Sequence, residues 1–170
     1  MLKLQCIKVV LLTASALLFG SAANATDEPT PLAFVRGMGI TANFGQMLRF
    51  GASRMQTYRN IVCAVGSSAG QSLVEQEISA AIAKYQPQWD NNLAAAWSQL
   101  LSEGEMKSLL ELKQQSPFAA KYQASGPKAR QAIIASSSDL LQAALSEGMN
   151  NAWGKVPPER ASNPAASCKN

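Results

Sequence analysis

The sequence predicts an all-α fold, a single-domain bundle of about five or six helices closed by one disulfide. Three observations carry this. Apolar residues recur at spacings of three and four along most of the chain. No segment alternates apolar and polar residues with the β-branched enrichment of a strand. Ala, Leu, Gln, Glu and Lys, all good helix formers, dominate the second half.

The first 25 residues read as a secretory signal segment. Lys3 and Lys8 form a basic start, Val9 to Phe19 an apolar run, and Ala23-Asn24-Ala25 the small-x-small pattern of a cleavage site. The run is short of the ~20 apolar residues of a spanning helix, so no transmembrane anchor is expected after cleavage. Cys6 precedes the run, against lipid attachment there. Removing 25 of the 170 residues leaves 145, with 13 basic and 11 acidic residues and a net charge of +2. That is enough chain for one core. So small a charge makes no electrostatic case for nucleic acid. Export implies a periplasmic or secreted protein. Its partners are expected to be a protein or an envelope component.

Residues 26–42 form an N-terminal leader and a Gly-containing segment. Pro29 and Pro31 suggest an extended leader to Leu32, and the stretch with Gly37 and Gly39 reads either as a helix with small faces or as a loop. The helical domain spans residues 43–154. From Asn43, a possible N-cap, Phe44, Met47, Leu48, Met55, Tyr58, Val62 and Val65 keep to about a third of one helical circumference. Gly66 is a plausible terminator. Val74, Ile78, Ile82, Tyr85, Trp89, Leu93, Ala96 and Leu100 then share one face through Pro87. Proline lacks the amide donor, so a kink or break is expected near Gln86. Ser102-Glu103-Gly104-Glu105 is a capping box opening a helix with Met106, Leu109, Leu110 and Leu112. Ser116-Pro117 starts a short helix ending by Gly126-Pro127. A last helix carries Ile133, Ile134, Leu141, Leu145, Met149 and Trp153, and stops at Gly154 and Pro157-Pro158. Residues 155–170 are a polar tail.

Cysteine usage bears on the compartment. After loss of Cys6, Cys63 and Cys168 remain. In an oxidising compartment they are expected to pair and tie the tail to the first clear helix; two free thiols are the other reading. Histidine is absent from the chain. That removes the commonest general base and transition-metal ligand.

The remaining chemical patterns yield no catalytic residue, cofactor or metal set. Ser125-Gly126-Pro127-Lys128 has Ser-x-x-Lys spacing without companion motifs, and Ser125 reads as a helix cap. Glu75 and Glu77, like Glu103 and Glu105, are two apart, do not face each other on a helix, and read as first-turn acids. Met38, Met47 and Met55 lack a Cys or His partner for soft-metal binding and read as core. Trp89 and Trp97 either anchor the core or line a ligand groove. Arg36, Arg49, Arg54 and Arg59 are the only charges between Glu28 and Glu75. They are a candidate basic binding face, or arginines that snorkel beside an apolar stripe.

Tyr85-Gln-Pro87-Gln-Trp89, Leu100-Leu101-Ser102-Glu103-Gly104-Glu105-Met106, Ser116-Pro117 and Gly126-Pro127 together resemble a family of small exported bacterial helical proteins catalogued as a domain of unknown function. The likeness covers about residues 78–131. Leu112-Lys113 stands where the family carries Phe-Tyr, and Phe118-Ala119-Ala120 where it carries Gly. The resemblance implies a helical envelope or secreted protein and brings no catalytic residues with it. The function expected is non-enzymatic binding in the cell envelope. The alternatives are a secreted factor acting on a host or neighbouring cell, and a histidine-free hydrolase using carboxylate or serine.

Overall fold

In the computed structural model, which describes Glu28, residues 30–162 and Cys168, the chain is all-α. The predicted signal segment lies outside the described residues, as do tail residues 163–167, 169 and 170. The helices are α1 (Thr30–Gly37), α2 (Asn43–Arg54), α3 (Gln56–Val65), α4 (Ser67–Ser98), α5 (Glu103–Leu112), α6 (Ala119–Gly154) and α7 (Pro158–Ala161). Single 3-10 turns cover Ile40–Ala42 and Lys113–Gln115. The described residues thus form seven α-helices, against the five or six expected. The extra ones are short.

Helix α4 is the axis. At 1.5 Å per residue its 32 residues run about 48 Å, and α1, α2, α3 and α6 all pack on it. Helix α6 lies antiparallel along it. Lys155 reaches Glu77, Lys84 reaches Glu147, and Asn92 reaches Ser137, so residue numbers fall on one helix as they rise on the other. The core between them holds Ile78, Trp89, Leu93, Trp97, Ala129, Ala144, Met149 and Ala152. Two pairs close the long seam, Lys84 Nζ to Glu147 at 2.6 Å and Lys155 Nζ to the buried Glu77 at 2.5 Å.

Both internal prolines sit inside continuous helix: of the kink or break expected near Gln86 the break does not occur, and the helix does not end at Gly126-Pro127. Pro87 is exposed, and so is Ala83, whose carbonyl it cannot satisfy; Pro127 and Gln123 repeat the arrangement. A carbonyl freed on an exposed residue costs less than a buried one, because solvent replaces the missing donor, and the apolar stripe on the far side keeps each helix docked. Ser125 is consequently helix interior and not a cap.

The N-terminal third differs most from expectation. The chain is helical from Thr30, inside the span read as an extended leader, and Phe34 and Val35 of α1 are fully buried. The helix expected from Asn43 to Gly66 is two helices, broken at Met55, whose backbone is extended at φ −75°, ψ 146°. One extended residue leaves apolar spacings of three and four unchanged, so periodicity does not register it. Ala42, not Asn43, stands at the N-cap position of α2, and no side chain caps that end. Gly66 does end α3, at φ 92°. Its N–H donates to Val62 O and its carbonyl accepts from Gly70, so one glycine closes α3 and opens α4. Because α4 begins at Ser67, Glu75 and Glu77 lie beyond its first turn.

Helix α5 has the full capping box. Ser102 Oγ accepts from Glu105 N–H, and Glu105 Oε2 accepts from Ser102 N–H at 2.8 Å. Lys121 Nζ lies 2.7 Å from both Glu105 oxygens and holds that carboxyl below its usual range. At the other end Lys113 takes φ 52°, the one positive φ outside glycine among the described residues. Cys63 of α3 and Cys168 are joined, with Cα atoms 4.7 Å apart and a sequence separation of 105. The chain ahead of Cys168 packs on the same helix: α7 contacts α3, and Arg160 donates to Ala64 O at 3.3 Å.

Candidate functional site

The four arginines singled out by charge have different surroundings. Arg36 Nε donates to the buried Asp90 at 2.9 Å, and Arg36 also pairs with Glu28. The bond to Asp90 raises the Arg36 pKa above its ordinary value. Gln86 donates to the other Asp90 oxygen at 2.7 Å and to Thr41 O, so Asp90 is the hub of a buried polar junction. Arg49 Nε lies 2.9 and 3.1 Å from the two Glu75 oxygens, which holds Glu75 below the usual carboxylate range. That pair edges a cavity of about 280 Å³ between α2, α3 and α4. Arg54 covers the exposed Phe50 ring at 4.5 Å, and Arg59 bonds Gln56. Intramolecular carboxylates therefore occupy Arg36 and Arg49, leaving Arg54 and Arg59 as the outward charges of the set.

A larger apolar groove of about 440 Å³ opens elsewhere. Its floor is α4, which supplies Trp89 and Trp97. One wall is Ile40, Asn43 and Met47, from the turn before α2 and from α2 itself. The other is the α6 series Gly126, Ala129, Arg130, Ile133, Ile134 and Leu141, which follows helical spacing. Two of its large apolar residues stand out to solvent, Met47 at 38% and Ile134 at 59% exposure.

The two tryptophans answer the sequence question on both counts, since they are core residues that also floor the groove. Trp89 stacks on Phe44 at 5.2 Å, and its indole N–H donates to Asn43 Oδ1 at 3.2 Å. Trp97 stacks on Tyr122 at 4.8 Å and meets Phe34 edge-on at 5.9 Å, locking α1, α4 and α6 together. Burial there pushes the Tyr122 phenol up. The Trp97 indole N–H has no acceptor, and it is the one buried side-chain polar atom among the described residues left in that state.

Asn43, read as a cap, thus acts as the acceptor for a groove tryptophan. Met47, read as core, is groove rim. Arg130 was not singled out by the sequence, because one arginine in a mixed-charge helix carries no pattern. Among the described residues it has no carboxylate partner, and it flanks the groove floor. No helix of the described residues is long and apolar enough to cross a membrane.

Known protein families, curated proteins and solved structures yield no match to this chain.

Proposed function

We propose that this is an exported, non-enzymatic binding protein of the cell envelope, and that the groove between α2, α4 and α6 is where it takes its ligand. The observation that carries the reading is the groove itself, about 440 Å³ lined by two tryptophans, aliphatic side chains, one amide and one guanidinium. Small-molecule sites are mostly apolar clefts of about 300–1,000 Å³ with a few polar groups that orient the ligand. Such a lining offers burial and orientation, which is the chemistry of binding. The Ala23-Asn24-Ala25 cleavage pattern and the Cys63–Cys168 pair support the location.

Two experiments test this. Fractionation and N-terminal sequencing should find the stable chain outside the cytoplasm and starting at Thr26; a stable form retaining Met1 would overturn export. Nile red, a neutral apolar probe, should bind saturably at one site and quench or shift tryptophan emission, and Ile133→Glu should abolish uptake. Absence of saturable uptake, or equal uptake by the variant, would overturn the groove as the site.

A further inference from the structure

Four large apolar side chains stand exposed among the described residues, and three of them belong to one surface. Met47 and Ile134 line the groove. Phe50, 61% exposed, follows Met47 on α2. Asn43, Met47, Phe50 and Arg54 are spaced four, three and four, so they form one stripe that carries this wall to the end of α2. The α6 wall keeps pace with it. A Cβ on Gly51 would lie 3.1 Å from Leu145 Cδ2, so the two helices close on each other one turn past Met47 and Leu141. Residue numbers therefore rise together along both walls.

The charges of this surface have one sign and lie at its two ends. Helix α2 carries no acid, and neither does the groove lining. Arg130 marks the early end on α6, and Arg54, its guanidinium 4.5 Å over the Phe50 ring, lies past Leu145 at the other. Both are exposed, and neither meets a carboxylate among the described residues. Residues two apart do not share a helix face, so Lys128 turns away from the Arg130 side of α6, and Asp139 away from the Leu141 side. Glu147 is held by Lys84. The 15 residues from Arg130 to Leu145 span about 22 Å. The result is an apolar trough of that length with a guanidinium at each end.

Three kinds of occupant are open to comparison. A second copy brings the same two cations and no acid, so a two-fold contact of this face leaves every guanidinium without an opposite charge. A lipid surface is broad and meets the rims, Phe50 and Ile134, without reaching the buried floor of Trp89 and Trp97. An amphipathic helix is convex and narrow, lays one apolar stripe along such a trough, and carries charge at its ends. We infer that the groove takes an acidic amphipathic helix of about 15 residues from a partner protein, its apolar stripe seated between α2 and α6 and its terminal carboxylates on Arg54 and Arg130. The inference rests on the groove being the ligand site.

The test uses the disulfide-bonded chain from Thr26 and three labelled peptides of about 16 residues. They share one leucine stripe at i, i+3, i+7 and i+10 and differ only at their ends, which carry Glu, Gln or Lys. The Glu-ended peptide should bind about tenfold tighter than the Gln-ended one, roughly threefold for each of two exposed ion pairs, and the Lys-ended one weakest. The gap should narrow as salt rises. Arg54→Gln and Arg130→Gln, both at exposed positions, should each remove about threefold of it and together all of it. Phe50→Ala should weaken all three peptides. Equal binding of the three, or a preference that survives the double variant, would overturn the inference. So would binding to phosphatidylglycerol vesicles without peptide binding, which gives the surface to lipid, or a sedimenting dimer that Ile134→Glu dissolves, which gives it to a second copy. Saturable Nile red uptake that the Glu-ended peptide does not displace would leave the groove as a small-molecule site and refute the helix. Absence of Nile red uptake would remove the groove and the inference together.

Discussion

Two helical glycines make opposite predictions for one substitution. Gly70 lies in α4 where it crosses α3, and a Cβ built there would meet Val62 Cα at 2.8 Å and Val62 N at 3.1 Å. Ordinary contact begins near 3.4 Å, so the two backbones would have to separate by about 0.6 Å. They pivot on Gly66, only four residues away and bonded to Gly70 N–H at 2.8 Å, which leaves little lever arm for that movement. Alanine gains about 0.5–1 kcal/mol of helix propensity over glycine. Overpacking costs about 1–3 kcal/mol, and against backbone the upper half of that range applies. Gly70→Ala should therefore destabilise by about 1–2 kcal/mol. Gly104, in the first turn of α5, has nothing within 4 Å of its Cβ position, so Gly104→Ala should keep the propensity gain and stabilise by about 0.5 kcal/mol. Urea unfolding of both variants, compared at constant m, reads the difference in midpoint. A Gly70→Ala protein as stable as the parent would refute the close approach of α3 and α4. A destabilised Gly104→Ala would refute the open surface there.

Reduction, or Cys63→Ser with Cys168→Ser, should cost about 4–5 kcal/mol by the chain-entropy model for a loop of 105 positions, read by guanidinium unfolding with and without reductant; no change would mean the pair does not constrain the unfolded chain. Asp90→Ala should cost about 1–3 kcal/mol, since Gln86 loses one of its two acceptors and Arg36 its buried carboxylate. The larger penalty of a fully buried pair is not expected, because the Arg36 side chain is 46% exposed and rehydrates. Lys113→Gly should raise the unfolding midpoint by the equivalent of about 1 kcal/mol, the strain of φ 52° less the entropy of glycine; a lowered midpoint would contradict that. Glu105→Gln keeps a capping box but loses the charge facing Lys121. Because Glu105 is depressed in the folded chain, its contribution is present above the unfolded carboxylate pKa and disappears as pH falls through the folded value. The parent should therefore melt above the variant at neutral pH and converge with it below about pH 4; a gap that persists at low pH would assign the loss to packing.

What was legible in the sequence was local chemistry. The capping box, the Gly66 stop, the shared face through Pro87 and the all-α class follow from residues a few positions apart, and the structure has each of them. The cysteine pair was legible for another reason, the lack of any competing thiol after residue 25. What escaped was set by partners far along the chain. Pro127 was read as a boundary because proline opposes helix locally, yet its exposed side and docked opposite face decide the outcome. Arg36 and Arg49 looked like a free basic group because Asp90 and Glu75 lie 54 and 26 residues away. The groove was half visible, in the two tryptophans. Its second wall comes from α6, and the difference between a satisfied and an unsatisfied indole exists only once Asn43 has met Trp89.

The placement of α4 at the centre of the bundle has a consequence for amide hydrogen exchange. Four other helices dock on this one, so exposing its mid-helix amides requires shedding most of the tertiary structure. Those amides, Ile78 to Leu93 on the buried stripe, should exchange only through global unfolding and report the full free energy of the domain. Helix α7, four residues long, should open by itself up to the point where Cys168 holds the tail. A ligand seated on Trp89 and Trp97 would bind to the slowest-exchanging element of the molecule, and its binding energy would appear directly as slower exchange along α4.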